Sequence, residues 1–447
     1  MPITNFEDIP NELLLYIFEF LDGFHLIYAF DKLNFRFTSL TNDVHLHFNL
    51  TNLKKTEFDY VFDYIFPFKN NVFSLILSNR NTLGPLEMFI ARFQNLIPHN
   101  PLHYLKLIDI HTEALLSFLT VVLPKLIHLV SLSLVDVTFY PYRRRPIKYI
   151  SEQLPLLTHV SLSFRQQLSY PSWILTQLYS TFSTIEYLSL YGFSYDITRL
   201  PDLFQHLYKI EHLEIKLDID DDIGCWGPWI LDSVLIRNGG QHLRSLIIQI
   251  EFRLLFVEIA SFLKYFPQLK NLSLVTHEFT HDIQFYDGEK WEELIQTALP
   301  CLISFRLYLK SKRFTSDISL TVIIDKFRSS FWINEKKWYI VCDKFTNEFI
   351  QLYTIPCPKN VTVTLNIISS NWDTTLPSFN LSTFDSITCL IVNTTELQHN
   401  QTPLPYFNNI KSLHILSLPT KNYCLSQHIN LLQIESAIDS RWIPSHR

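Results

Sequence analysis

Apolar residues recur along this chain in a short phrase that returns many times. Residues 154–164 read LPLLTHVSLSF, residues 266–276 read FPQLKNLSLVT, and residues 299–309 read LPCLISFRLYL. Aligned, the three phrases share apolar residues at positions 1, 4 and 6. This template matches ten times, with first positions at Leu102, Leu129, Leu157, Ile185, Ile210, Leu243, Leu269, Leu302, Ile387 and Ile410. Matches that recur about every 28 residues are typical of an internal structural repeat.

The wide interval between Leu302 and Ile387 is close to three repeats long. It contains two segments that resemble the template only weakly, WYIVCD at residues 338–343 and NVTVTLNII at residues 360–368. We therefore predict two further repeat units there, in a stretch (about residues 310–386) where the period is otherwise lost.

Each match alternates apolar with polar residues, which predicts a strand with one buried face. Between matches the apolar spacing becomes helical, at Leu115, Leu119 and Val122; Ile147, Ile150 and Leu154; Leu200, Leu203, Phe204 and Leu207; and Trp291, Leu294, Ile295 and Ala298. Pro124, Pro155, Pro267 and Pro300 stand where these helices should stop, because proline cannot continue a helix. Each unit is therefore predicted to be a strand followed by a helix.

A strand–helix unit of this length cannot bury its apolar face alone, whereas stacked copies bury a continuous one. We therefore expect an α/β fold, a curved solenoid with parallel strands inside and helices outside. The pattern resembles leucine-rich repeats, L-x-x-L-x-L-x-x-N/C-x-L, over roughly residues 70–420. Position 9, where that family carries Asn or Cys, holds Val137, Arg165, Phe193, Asp218, Glu251, His277 and Lys310. Irregular turns and uneven curvature are expected as a result.

The N-terminal segment, residues 6–43 (FEDIPNELLLYIFEFLDGFHLIYAFDKLNFRFTSLTND), does not fit the repeat. Apolar residues at i, i+3, i+4 and i+7 predict a first helix, with Pro10 in its first turn and Gly23 at its end. That stripe is Leu14, Ile17, Phe18 and Leu21, and Leu13 and Phe20 fill the other side. A second apolar set, at Leu26, Ile27, Phe30, Leu33, Phe35 and Phe37, predicts two more short helices. So much apolar surface on a short helix indicates a partner.

These residues resemble an F-box. Ile9-Pro10, Glu12-Leu13-Leu14, Ile17-Phe18 and Phe20-Leu21 follow the family pattern [L/I]-P-x-E-L-L-x-x-I-F-x-x-L, with Leu26, Arg36-Phe37 and Leu40 after it. The resemblance covers about residues 6–45. It implies that the segment docks the Skp adaptor of an SCF ubiquitin ligase, with contacts supplied or the docking surface shaped by Pro10, Leu13, Leu14, Ile17, Phe18 and Leu21. The alternative is a plain helical cap for the first repeat.

Side chains at template positions 3, 5 and 7 should face away from the core, because strand side chains alternate. Tyr, Arg and His residues on a rigid surface are common anchors for protein partners. The candidate substrate-binding residues are His159, Tyr187, Tyr191, His212, Glu214, Lys216, Gln249, Arg306 and Tyr308. An ordinary solvated sheet face is the alternative interpretation for any one of them.

Composition narrows the class of protein. The chain has 447 residues, 47% hydrophobic and 18% charged, so it can bury a large core. A net charge of −6 gives no reason to expect nucleic acid or an anionic membrane as a partner. We expect a soluble chain without signal peptide or transmembrane segment. Six scattered cysteines without Cys-x-x-Cys indicate reduced thiols in the cytoplasm or nucleus.

Three short motifs resemble functional signatures but lack the features that those signatures require. HEFTH (residues 277–281) matches the zinc-protease pattern, but it follows a predicted strand directly and a turn comes soon after, so the required helix is not expected. DIDDDIG (residues 218–224) has Ile223 where a calcium loop needs Gly, and Arg143-Arg144-Arg145 reads as an exposed loop. No nucleotide-binding glycine pattern is present. No enzyme activity, metal or cofactor is predicted.

Two domains are therefore predicted: an F-box-like helical docking domain at residues 1–46 and a leucine-rich-repeat-like solenoid at residues 47–447. Together they indicate a substrate-recognition adaptor that binds the Skp adaptor and the cullin ligase core at one end and a target protein on the solenoid. The rival hypothesis is an interaction scaffold with no ligase role, whose N-terminal helices only cap the solenoid.

Overall fold

A computed structural model shows a mixed α/β protein whose strands are mostly parallel. The structure describes residues 6–66, 69–81, 84–93, 102–138, 154, 156–168, 184–196, 200–218, 240–250, 255–276, 282–311, 319–345, 349–358, 362–365, 372–375, 389–392, 412–415 and 436–439. The chain divides into two compact units, Met1–Glu214 and Ile215–Arg447.

The first unit begins with three helices and continues as alternating strands and helices. Its helices are α1 (Asn11–Phe18), α2 (Gly23–Phe30), α3 (Phe35–Asp43), α4 (Lys55–Tyr60), α5 (Pro85–Phe93), α6 (Thr112–Ser117) and α7 (Leu200–His206). Its strands are β1 (Leu46–Asn49), β2 (Val72–Ser78), β3 (Tyr104–Ile108), β4 (Ser131–Val137), β5 (His159–Leu168) and β6 (Tyr187–Asp196), followed by the start of β7 (His212–Asp218). Strands β1 to β6 pair in parallel, each with the next along the chain.

The second unit starts with the same alternation and then changes. Its helices are α8 (Phe256–Leu263), α9 (Gly288–Ala298) and α10 (Leu320–Asp325). Its strands are β8 (Ser245–Ile250), β9 (Asn271–Thr276), β10 (Ser304–Ser311), β11 (Tyr339–Phe345), β12 (Phe349–Ile355), β13 (Thr362–Leu365), β14 (Trp372–Thr374), β15 (Cys389–Val392), β16 (Ser412–Ile415) and β17 (Ser436–Asp439).

One sheet of 13 strands runs in chain order from β1 to β10 and then continues β12-β11-β14, and it is not closed. A second sheet has four parallel strands in the order β13-β15-β16-β17. Where the structure describes the connection between two parallel strands, as with α5 between β2 and β3 and α8 between β8 and β9, a helical segment forms the crossover that parallel pairing requires.

The strand predictions from the repeat are confirmed. All ten template matches are strands, and each strand begins two residues after the first template position. In the eight matches from Leu102 to Leu302, positions 1, 4 and 6 are buried in the core; in β4 and the turn before it, Leu129 and Leu132 are fully buried and Leu134 is 2% exposed. The segment at residues 360–368 contains β13, which pairs in parallel with β15.

The prediction that WYIVCD is a hidden parallel repeat is wrong. This segment lies in β11, which pairs antiparallel with β12, and β12 pairs antiparallel with β10. Only three residues connect Phe345 to Phe349, which is too short for a parallel crossover of a dozen or more residues. The chain therefore turns back on itself as a hairpin.

The helix predictions are confirmed where the structure describes them. Leu115 lies in α6, which continues as a π-helical turn (Phe118–Val122) before Pro124. Helix α7 contains Leu200, Leu203 and Phe204, with Leu207 directly after it, and α9 contains the predicted set of residues 291–298. Ile147 and Ile150 lie outside the described residues. Gly23 does not end the first helix but starts the second, because the Asp22 side chain accepts a hydrogen bond from Phe24 N and caps α2.

Within the described part of the chain, helices of the length and apolar character needed to cross a membrane are not found. The described Cys301, Cys342 and Cys357 are free thiols, and the last two are buried.

Candidate protein-docking surfaces

Helices α1 to α3 form a small core of their own. Leu14 and Phe18, one turn apart on α1, are 0% and 1% exposed. The Phe18 ring lies 4.9 Å from that of Phe30, and the Phe30 ring lies 5.5 Å from that of Phe37 on α3. Arg36 holds the preceding segment in place, since its Nε donates to Asn11 Oδ1 at 2.7 Å and its other nitrogens donate to the carbonyls of Glu7 and Ile9.

The opposite face of α1 is apolar as well, but it is exposed. Leu13, Tyr16, Ile17 and Phe20 follow one another at i, i+3, i+4 and i+7, and they are 54%, 62%, 37% and 73% exposed. The Tyr16 and Phe20 rings meet edge to face at 5.1 Å. We call these four residues the α1 stripe. Further exposed apolar side chains near it in sequence are Phe6, Tyr28, Leu33 and Phe35.

The six predicted adaptor-binding residues divide between these two faces. Leu13 and Ile17 lie on the α1 stripe, Pro10 is exposed at the N-cap, and Leu21 is half-buried after the helix. Leu14 and Phe18 are buried among the three helices and lie beneath the surface of the free chain. The sequence prediction omitted Tyr16 and Phe20, although the i, i+3, i+4, i+7 spacing with Leu13 and Ile17 marks a second stripe.

The same helices are attached to the first strands of the sheet. The Asp22 side chain that caps α2 also accepts from Asn49 N at 2.8 Å, at the end of β1. A Cβ added at Gly23 would lie 3.0 Å from the Phe48 ring, so α2 packs closely on β1. Before β2, Asn71 Nδ2 donates to the carbonyls of Thr41 and Val44 at 2.9 and 2.6 Å. The helices are thus held firmly on the sheet.

A second candidate surface is the solvent-facing side of the sheet in the first unit. His159 and Tyr187 are direct neighbours on β5 and β6, with ring centroids 5.6 Å apart. The Tyr187 ring stacks on His212 at 4.1 Å with an interplanar angle of 3°. Three predicted substrate-binding residues are therefore brought together as one row of stacked rings. Tyr191, further along β6, is 44% exposed.

The electrostatics of this row follow from partial burial. Burial, and to a lesser extent the nearby His159, lower the pKa of His212 from 6.5 to about 4. His212 is therefore neutral near pH 7. Burial also raises the pKa of Tyr187, and the Glu214 carboxylate adds to that increase. Ser189 donates a hydrogen bond to Glu214 at 2.7 Å.

The remaining predicted substrate-binding residues belong to the second unit. Lys216, Gln249 and Arg306 are half-buried on the solvent-facing side of their strands, as the alternation predicts. Tyr308, in contrast, is buried, with 1% of its surface exposed, and its hydroxyl donates a hydrogen bond to Gln351 Oε1 at 3.2 Å. Its predicted role at the surface is wrong, because the strand pairing changes at β10 and the Tyr308 ring lies beside the buried Tyr353 of β12.

The set-aside motifs lie mostly outside the described residues: 277–281 and 143–145 entirely, and 218–224 beyond Asp218. Elsewhere in the described ranges, three or more His, Cys, Asp or Glu side chains do not gather into a metal-binding group.

Comparison with known proteins gives no relative from which a role could be transferred. No protein-family model matches the sequence, and no curated protein matches it. The two surfaces are therefore interpreted from their own chemistry.

Proposed function

We propose that this chain is a substrate-recognition adaptor of an SCF-type ubiquitin ligase, with α1 to α3 as an F-box-like segment that docks the Skp adaptor. The α1 stripe is the observation that carries the proposal. One face of this short helix already packs in the core of α1 to α3, so the second apolar face does not contribute to that core and is left for a partner. Burial of one such side chain contributes about 1.5–3 kcal/mol, so four of them favour docking to a partner.

The rest of the chain would present the target protein. Regular strand starts and parallel pairing support a leucine-rich-repeat-like solenoid as the architecture. The mechanism is proximity: the docking helices bind the ligase core while the sheet face holds the target, so that ubiquitin transfer becomes effectively intramolecular. The chain itself would perform no bond chemistry. Free buried thiols at Cys342 and Cys357 support a reducing compartment, the cytoplasm or nucleus.

A calorimetric titration of a purified Skp adaptor into the chain tests the proposal. Wild type should bind with micromolar or tighter affinity, and Leu13→Asp/Ile17→Asp should weaken binding by about 100-fold, because two charges then face an apolar interface. The matched control is Val257→Asp/Val322→Asp, which places the same two charges at exposed apolar positions on α8 and α10. Circular dichroism checks that all three proteins are folded.

The outcomes separate the two hypotheses. Binding by wild type and by the control, but not by the α1 variant, supports the ligase adaptor. If folded wild type does not bind, the adaptor hypothesis fails and the interaction scaffold with an N-terminal cap replaces it. If the α1 variant binds as tightly as wild type, the α1 stripe is not the docking surface.

A further inference from the structure

The three neighbouring strands β8, β9 and β10 of the second unit contain no acidic residue, and the charged residues on them or directly before them are basic. In β8, β9 and β10, Ser245, Asn271 and Ser304 form one lateral row on the solvent-facing side, and Arg306 lies in the next row beside Ser273. Residues 240–250, 264–276 and 299–311, which are these strands with the turns before them, contain no Asp or Glu. In the whole chain, acidic residues outnumber basic ones 43 to 37, whereas in these three ranges all the charged residues are basic.

Two cations in this region are available for a ligand. Lys270 is exposed directly before β9, and Arg306 is half-buried on β10. Neither has an ion-pair partner within the described ranges. Arg244, directly before β8, and Lys310, on β10, take part in other interactions, which leaves Lys270 and Arg306 for a ligand. We call Lys270, Arg306 and the polar row of Ser245, Asn271 and Ser304 the basic surface.

We propose that the basic surface binds an extended acidic segment of a partner protein, a run in which several Asp or Glu residues are exposed. The charge of the surface favours carboxylates, and the serine hydroxyls and the Asn271 amide supply hydrogen-bond donors in the neighbouring row. An isoleucine, Ile303, is 70% exposed beside Lys270 and adds an apolar contact.

The spacing of the cations favours a segment with separate charges over a single phosphate. The backbone N–H groups of Ile303 and Ser304 both donate to the Lys270 carbonyl, so Lys270 lies level with the start of β10. Arg306 is then about 10 Å further along the strand direction and about 5 Å across, from ordinary strand dimensions. This interval is about 11 Å, and carboxylates on alternate residues of an extended peptide are about 7 Å apart, so two or three acidic residues reach both cations, whereas one phosphate is a single charged centre.

If the acidic segment belongs to the target protein, this inference rests on the proposed adaptor function. The experiment uses no ligase component, so acidic-segment binding and the adaptor function can fail separately. The probe is a fluorescein-labelled octapeptide of alternating glutamate and serine, titrated with the full chain at low ionic strength and followed by anisotropy. Two further peptides distinguish the ligand chemistry: one with glutamine for every glutamate, and that glutamine peptide with a single phosphoserine.

The glutamate peptide should bind, the glutamine peptide should not, and Lys270→Glu/Arg306→Glu should weaken binding by about tenfold or more. The matched control is Lys264→Glu/Lys290→Glu, which changes the net charge equally at exposed positions after α8 and within α9. Equal loss in both variants would mean a net-charge effect and would overturn the proposal. So would unchanged binding by the Lys270/Arg306 variant, or preferential binding of the single phosphoserine peptide.

Discussion

His212 illustrates how a place in the sheet sets the protonation of a single side chain. Its ring is stacked on Tyr187, and its Nε2 is buried without a hydrogen-bond partner in the described part of the chain. A proton added to Nε2 would therefore place a charge where no acceptor receives it, with His159 nearby as a second titratable group. The template position of His212 was readable from the sequence, but its protonation depends on burial, which only the packed structure gives.

The lowered pKa of His212 predicts a loss of stability in mild acid. The unfolded chain binds a proton near pH 6.5, whereas the folded chain resists until about pH 4. The folded state therefore loses stability as the pH falls from 6.5 to 4, by about 1 kcal/mol once solvent screening is allowed for. His212→Phe keeps the stacked ring and removes the titration. Urea unfolding at pH 7 and pH 4.5 should show a smaller decrease for this variant than for wild type, and equal decreases would contradict the assignment.

Among the helices, α1 shows both what apolar spacing predicts and what it leaves open. The spacing predicted a helix with apolar residues on two sides, and both are present. Which side is buried could not be read from the sequence, because Leu13 and Leu14 are chemically identical. Packing of Phe18 against Phe30 and Phe37 decides it, by selecting the face that includes Leu14.

Because α1 has one buried and one exposed apolar face, substitutions at the neighbouring residues Leu14 and Leu13 should change the free energy of unfolding by very different amounts. Leu14→Ala should lower the free energy of unfolding by about 3 kcal/mol, because it leaves a cavity in the core of the helical segment. Leu13→Ala should change it by less than about 0.5 kcal/mol, because its side chain is largely in solvent in the free chain. Chemical denaturation of both variants measures the difference. Similar losses at the two positions would mean that the α1 stripe is buried within the chain.

The hairpin of β11 and β12 shows where strand periodicity reaches its limit. Alternating apolar residues look the same in parallel and antiparallel strands, so WYIVCD could not reveal its direction. The length of the connection to β12 does carry that information, because three residues permit only a hairpin. Tyr308 occupies a template position that is exposed or half-buried in β3 to β8 but buried in β9 and β10, beside the antiparallel strands.

For the whole molecule, the repeat predicted most of the strand positions, and the turns between them less well. No general asparagine ladder was expected, yet Asn79 occupies one such turn, where its Oδ1 accepts from Leu86 N and its Nδ2 donates to Glu87. Asp109, directly after β3, and Asp136, in the irregular end of β4, adopt positive φ angles. The strand ends therefore differ from one repeat to the next, which a single consensus position cannot capture.

Helices α1 to α3 are attached to the first strands of the sheet, which predicts that the same three helices serve as docking segment and as a cap on the sheet at β1. A chain beginning at His45 would lose the contacts of Asp22 with Asn49 and of Gly23 with Phe48, and would leave β1 exposed. Its melting temperature should fall by roughly 5–10 °C, and it should bind a hydrophobic dye and self-associate in light scattering. Full-length Leu13→Asp/Ile17→Asp is the control and should remain monomeric, since it alters only the α1 stripe. A truncated chain as stable and monomeric as wild type would show that the helices do not cap the sheet, and that docking is their sole role.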